Sequence, residues 1–300
     1  MDDLIIALFC LIDDLLKAMN HREDSQCRMS DAEVMTTALM AAFCFSGNWT
    51  NACRWLDVPH YVPKMLSKSR FNRRLHRVKP MFLTLFACLS EVWKELNADC
   101  IYSIDTFPIP VCDNIRISRA KIYQDNAYRG YIPSKRRYFY GVKIHLMVTE
   151  EGQPVEFFLT PGSFGDVSGL DLFDFDLPPD SIVYADRAYN SYYLEDLLQE
   201  ANQTSLQPMR KKGSKRPFPP YTRFLQYYFR KRIETSGSLI EQMLPKSIHA
   251  VTAAGFELKV VLFVIALSAS FLFPGIISLN LVWPVFLILG GLLLLFGRRR

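Results

Sequence analysis

The chain has 300 residues, half of them apolar and 22% charged, with a formal net charge of +5. That length suits one large domain or two ordinary ones with a sizeable core, and the mild basic excess matters less than where it falls. All seven cysteines lie in the first 112 residues, their number is odd and no CxxC pair occurs; this argues against a disulfide framework or zinc knuckle and for reduced thiols in a cytoplasmic protein.

Residues 1–20 begin apolar but carry Asp2, Asp3, Asp13, Asp14 and Lys17, which suits an amphipathic helix better than the apolar segment of a secretion signal. SDAEVMTTALMAAFCF follows, with Ser30 placed to cap a helix and Glu33 three residues on, a capping box. MFLTLFACLSEVWKEL reads as another helix. Between them, SKSRFNRRLHRVKP sets Arg70, Arg73, Arg74 and Arg77 on one helical face. That face is either simply solvated or in contact with phosphates. Residues 1–98 thus read as a helical domain.

The texture changes at Cys100. CIYSIDTFPIPVC is β-rich, and Pro108 and Pro110 discourage regular central pairing beyond Asp105. RRYFYGVKIHLMVTEEGQPVEFFLTPG reads as a hairpin turning at EEGQ. SIVYAD and TSLQPM are further strands, KKGSKRPFPP is a loop, and TRFLQYYFRKRIETSGSLIEQML and FELKVVLFVIALSASFLF are helices. Helices, then a mixed sheet, then helices predict an α/β fold over residues 99–273.

Asp105 and Asp186 each follow a short apolar run. If their strands are neighbours, the two carboxylates face each other, repel, and invite either a proton or a divalent cation. The alternative is two ordinary acids capping turns. Glu234 shares a helical stripe with Arg230 and Ser238, where a plain i,i+4 ion pair would explain it equally. The surroundings are basic: no acid occurs between Glu200 and Glu234, a gap holding Arg210, Lys211, Lys212, Lys215, Arg216, Arg223, Arg230, Lys231 and Arg232. A second stretch, with Arg116, Arg119, Lys121, Arg129, Lys135, Arg136, Arg137 and Lys143, is interleaved with Tyr123, Tyr128, Tyr131, Tyr138 and Tyr140. Cations that track a backbone, with aromatics that stack on bases, describe a nucleic-acid surface. Asp113, Asp125 and Asp166 are rival acids; Asp166 reads as a cap in its loop. His145 reads as a core or sheet-face residue rather than a ligand, and His249 falls in a turn and is not counted among the expected DNA contacts.

The order SIDTFPIPVC, GYIPSKRRYFYGVKIHLMVTEEGQPVEFFLTPGS, YADRAYN, RKRIET resembles the insertion sequence 982 family of bacterial DDE transposases, across roughly residues 1–273 and densely from 101 to 260. The resemblance implies a ribonuclease-H-like mixed sheet flanked by helices, with acids on the first and fourth strands and on a later helix. It assigns Asp105, Asp186 and Glu234 as the catalytic triad, holding two Mg2+ ions, with Mn2+ as a substitute, for nicking element ends and joining them to target DNA. Double-stranded DNA and further copies of the chain are the implied partners. Arg70, Arg73, Arg74, Arg77, Lys135, Arg136, Arg137, Arg187, Arg210, Lys211, Lys212 and Arg230 are the expected DNA contacts; for Arg187 and Arg230 the other role is orienting the acids. Tyr227, Arg230 and Glu234 also fit a Y-x2-R-x3-E signature of related transposases. Its continuation, a basic residue seven positions after the Glu, is Glu241 here, a departure for which Lys246 and Arg232 are substitutes by type alone.

Residues 274–300 form an apolar tail. Ile276–Gly297 contains only Ser278 and Asn280 as polar residues and is followed by Arg298, Arg299 and Arg300. It is long enough to span a bilayer, which would leave the arginines cytoplasmic and make the protein membrane-associated. A buried helix or dimer surface would have the same composition, and so would a read-through of an inserted element into adjacent sequence. Competing functions are a catalytically silent DNA-binding protein derived from a transposase, a structure-specific nuclease, and a membrane protein with a basic cytosolic part.

Overall fold

A computed structural model describes residues 2–273 except 113, 133–135, 246, 247 and 249. The tail at 274–300, with its candidate membrane span, therefore lies outside the described residues, as do Lys135, Asp113, Lys246 and His249.

Five helices come first: α1 (Asp2–Ala18), α2 (Asp31–Phe45), α3 (Trp49–Leu56), α4 (Lys68–Arg77) and α5 (Lys79–Leu96). The capping box forms as the sequence predicts. The Ser30 hydroxyl accepts from Glu33 N–H at 3.1 Å, and the Glu33 carboxylate accepts from Ser30 N–H at 2.6 Å. Helix α2 is buried almost throughout, so it is the centre of this layer rather than its surface.

The sheet that follows has six strands: β1 (Ile101–Cys112), β2 (Arg129–Ile132), β3 (Arg137–Thr149), β4 (Pro154–Pro161), β5 (Ile182–Ala185) and β6 (Ser205–Pro208). The order is β2-β3-β1-β5-β6, with β4 also on β3. Strands β1, β3 and β4 are antiparallel neighbours; β5 and β6 run parallel to β1. The short helices α6 (Asp166–Leu170) and α7 (Tyr192–Asn202) occupy the connections to and from β5, and α8 (Pro220–Met243) and α9 (Ala253–Ser270) complete the described fold.

Strand β1 does not stop near Asp105. It pairs with β3 from Tyr102 through Pro110, past both prolines. The reason is register. Pro108 and Pro110 have the same parity, so their missing N–H groups fall on one side of the strand. Pairing with β5 has already ended at Ile104, leaving that side with no ladder to break.

Helix α9 is apolar on all sides and buried, packing against α2, α5, α8 and β4. Among the described residues it is long and apolar enough to cross a membrane, yet its packing is that of a core helix. It also joins the helical layer to the sheet. Trp93 Nε1–H on α5 donates to Ser268 Oγ on α9 at 2.9 Å, and Ser90 Oγ donates to the Val155 carbonyl on β4 at 2.5 Å. Residues 97–100 connect α5 to β1, and the helices before that point and the sheet after it share one apolar core. Cys10, Cys27, Cys44, Cys53, Cys88 and Cys100 are not joined in disulfides.

Helix α8 is fixed onto the sheet at both ends of its buried face. Ser236 Oγ donates to the Gly152 carbonyl in the β3–β4 turn at 2.8 Å. Gln226, wholly enclosed, donates through Nε2 to the Gln207 and Pro208 carbonyls at 3.1 and 3.3 Å, where β6 ends.

Candidate active site

Strands β1 and β5 are parallel and adjacent, with Ile104 opposite Ala185. The next residue on each is an acid, so Asp105 and Asp186 stand abreast. Asp186 ends β5 as its sequence suggests: its carboxylate accepts from Arg187 N–H at 2.6 Å and caps a short 3-10 turn, Arg187–Tyr189. Asp105 lies mid-strand and its Oδ1 accepts from Thr106 N–H at 2.8 Å. Helix α8 passes over this point. The cleft between them is lined by Ser103, Asp105, Tyr184, Asp186, Gln226 and Arg230, among others.

Arg230 decides the electrostatics. Its Nη1 donates to Asp186 Oδ1 at 2.9 Å, and its Nε lies 3.0 Å from Glu234 Oε1. One guanidinium thus ties the strand-end acid to the helical one. Of the two roles open to Arg230 in the sequence, orienting the acids is the one the structure displays. Burial pushes the Asp105 carboxyl up to about 6, against the pull of the Thr106 N–H and the Arg230 charge; the neighbouring Asp186 charge pushes it further up.

The three acids do not draw together into a tight trio. Among the described residues, the group with ligand atoms within 4.8 Å of one another is His21, Glu23 and Asp31, in the helical layer. Arg74 already neutralises that cluster through Asp31. In the cleft, the cation among the acids is Arg230. Asp105, Asp186 and Glu234 offer oxygen ligands only, and two of them already flank a positive charge. That donor set suits a hard divalent cation.

Behind the acids lies a polar chain that sequence reasoning missed. Thr106 Oγ1 is 2.5 Å from Tyr189 Oη and 3.2 Å from His145 Nδ1, and His145 Nε2 is 2.9 Å from Thr160 Oγ1. His145 is fully enclosed and stacked on Phe158 with ring centroids 4.6 Å apart. Burial lowers its pKa to about 4, so it is a neutral core residue, as its strand position suggests. Spacing offered one signal: Thr106 and Tyr189 follow the two acids by one and three residues.

The expected DNA contacts divide. Arg70, Arg73 and Arg77 are exposed on α4, but Arg74 turns inward. It pairs with buried Asp31 and donates to Cys27 Sγ at 2.8 Å, so it is a structural residue and not a phosphate contact. Arg210 likewise departs from expectation. It makes a bidentate pair with Glu195, both bonds 2.6 Å and both side chains buried, and it stacks over Phe218. Arg136, Arg137, Arg187, Lys211 and Lys212 are exposed. Of the interleaved tyrosines, Tyr131 and Tyr138 lie on the surface, 4.9 Å apart, whereas Tyr123 and Tyr140 are core residues. The rival acids have local roles: Asp125 caps a 3-10 turn through Ala127 N–H at 3.0 Å, and Asp166 pairs with Lys143 at 2.9 Å. Gly165, not Asp166, takes the N-cap of α6. Glu241 is exposed on α8. An aromatic surface also appears on α8, where Tyr221, Phe224, Tyr227 and Tyr228 are exposed; of these the sequence singled out Tyr227 alone.

Residues 96–252 match the family model of the transposase DDE domain. The chain belongs to that family. The match spans the sheet, both strand acids and Glu234, more than half of the chain. No curated protein and no solved structure matches it. A DDE transposase acts on DNA, and the family uses divalent metal ions. The six-stranded mixed sheet with its helices fits such a transposase.

Proposed function

We propose that the protein is a DNA transposase of the insertion sequence 982 kind, which nicks the ends of its element and joins them to target DNA. The carrying observation is the placement of Asp105 and Asp186 abreast on parallel strands beneath Glu234 on α8. With the short β2 set aside as an extension of β3's edge, the strand order is β4-β3-β1-β5-β6. The acids then fall on the first and fourth strands and on a later helix, which supports the ribonuclease-H-like reading.

Asp105, Asp186 and Glu234 would hold two Mg2+ ions, or Mn2+. Bound there, the metal would supply charge stabilisation to the attacking and departing oxygens of an in-line displacement at phosphorus. The chain's own groups do the rest. Asp105 Oδ1 is kept oriented by the Thr106 N–H, and its proton must leave before it can act as a ligand. Arg230 neutralises Asp186 and Glu234. Gln226 is enclosed in the wall of the cleft beside the acids. Arg187, exposed beside Asp186, and Arg70, Arg73 and Arg77 on α4 would take phosphates, with Arg136, Arg137, Lys211 and Lys212 as further contacts. The protein would work in the cytoplasm as an oligomer, since transposition brings two DNA ends together.

The test is nicking and strand transfer on terminal-repeat DNA with Mg2+. Asp105→Asn, Asp186→Asn and Glu234→Gln should each abolish both steps and leave DNA binding intact. Near-full activity in any one removes that residue from the triad. Cleavage of branched DNA without joining would favour a structure-specific nuclease, and binding without cleavage by the wild type a silent derivative.

A further inference from the structure

Pairing between β1 and β5 stops at Ile104 and Ala185, one residue short of the two acids. The ladder brings Asp105 and Asp186 abreast but does not pair them with each other. Hydrogen bonds behind the acids close that gap. Thr106 N–H holds Asp105 Oδ1 at 2.8 Å, Thr106 Oγ1 meets Tyr189 Oη at 2.5 Å, and Tyr189 N–H donates to the Asp186 carbonyl at 3.1 Å. The links form a chain of four residues joining the two acid-bearing segments. Strand alternation sends the Thr106 side chain to the face opposite Asp105, so the clip grips from behind and leaves the cleft open.

The clip is itself braced. His145 approaches Thr106 through Nδ1 and Thr160 through Nε2. It cannot rotate freely, because Phe158 stacks on one face and Gly169 presses so close that a Cβ there would lie 2.5 Å from His145 Cε1. Tyr189 is 1% exposed. A core built only for stability would be served as well by Val at 106 and Phe at 189, since buried polar groups add little net stability and cost much when unpaired. Four bonded polar side chains at this place suit a requirement for exact spacing.

We propose that Thr106 and Tyr189, braced by His145, are positioning residues that hold Asp105 and Asp186 at the separation a shared divalent cation needs. This rests on the proposal that those acids bind the metal. Tyr189→Phe and Thr106→Val each remove one hydroxyl and keep the shape. Removing such an outer partner typically weakens metal binding about 10- to 100-fold. Mn2+ binding to the full chain without DNA, read by electron paramagnetic resonance, should weaken about tenfold in either variant. The Mg2+ concentration for half-maximal nicking should rise by a similar factor while DNA affinity stays unchanged. Thr106→Ser, which keeps the hydroxyl, should bind Mn2+ like the wild type. Wild-type Mn2+ affinity in Tyr189→Phe and Thr106→Val would overturn the proposal. So would an equal loss in Leu39→Ala, a core change in α2 that lowers stability without touching the clip. Undiminished Mn2+ binding in Asp186→Asn would instead refute the metal assignment itself.

Discussion

Phe107 on β1 rests against the α-carbon of Gly237 on α8: a Cβ on Gly237 would lie 2.1 Å from Phe107 Cε1. The requirement is for space, and it sets how low α8 rides on the sheet. Glu234 sits one helical turn before this contact, so the same approach sets its height above Asp105 and Asp186. Gly237→Ala should lift the helix, lower stability by about 1–3 kcal/mol as overpacked core sites do, and slow nicking more than it weakens DNA binding. Chemical denaturation beside a nicking assay checks this. Phe107→Leu in the Gly237→Ala background should recover part of both losses, and an unperturbed single variant would show that α8 has room to spare.

Arg210 and Glu195 form a buried, bidentate pair, so Arg210 belongs to stability. Arg210→Met would leave the Glu195 carboxylate enclosed without its partner, a change that typically costs about 3–5 kcal/mol. Replacing both, Arg210→Met with Glu195→Leu, should restore much of that. The salt dependence of DNA binding should be the same in the double variant as in the wild type. A flatter slope would return Arg210 to the DNA interface.

Helix α4 separates its arginines by role. Arg70, Arg73 and Arg77 are exposed, and neutralising any of them should reduce the slope of log affinity against log salt by ~0.9 per lost phosphate contact. Arg74→Ala should act otherwise. It leaves buried Asp31 with His21 as its remaining side-chain partner and should lower stability by about 1.5–3 kcal/mol, with no comparable change in slope once folded protein is compared. An unchanged slope on neutralising Arg73 and Arg77 together would take α4 out of the interface.

Local pattern stops being informative where a partner is remote. The capping box at Ser30 and the hairpin across Gly152 were legible because their determinants lie within a few residues. Asp105 and Asp186 were legible as strand acids because apolar runs precede them. Helical spacing places Arg74 with its three neighbours, yet Asp31, 43 residues earlier, draws it inward. Arg210 looks like one more cation in a basic stretch until Glu195 arrives across the turn from α7. The prolines of β1 read as breakers, since the early end of β5 cannot be seen from β1 alone. The Thr106–Tyr189 clip joins residues 83 apart; spacing marks each as a neighbour of an acid but does not show that they meet.

Asp105 makes the stability of the fold depend on pH. Its carboxyl titrates at about 6 in the fold instead of 3.8, because burial disfavours the charge. With the folded value raised, the stabilising contribution is fully present below the ordinary carboxylate pKa. It is lost as pH rises through about 6, above which the fold carries a half-buried anion. Asp105→Asn has no charge to bury. It should therefore be more stable than the wild type at pH 7–8 by about 2–3 kcal/mol, the advantage fading to nothing below about pH 4. Arg230 holds the Asp105 value down, so Arg230→Gln should shift this transition to higher pH. Mg2+ should stabilise the wild type at neutral pH and leave Asp105→Asn little changed, since a ligand stabilises only the fold that binds it. Thermal melts from pH 4 to 8, with and without Mg2+, measure all three effects. A stability difference between wild type and Asp105→Asn that stays constant across that range would show that Asp105 keeps an ordinary pKa and is not enclosed as described.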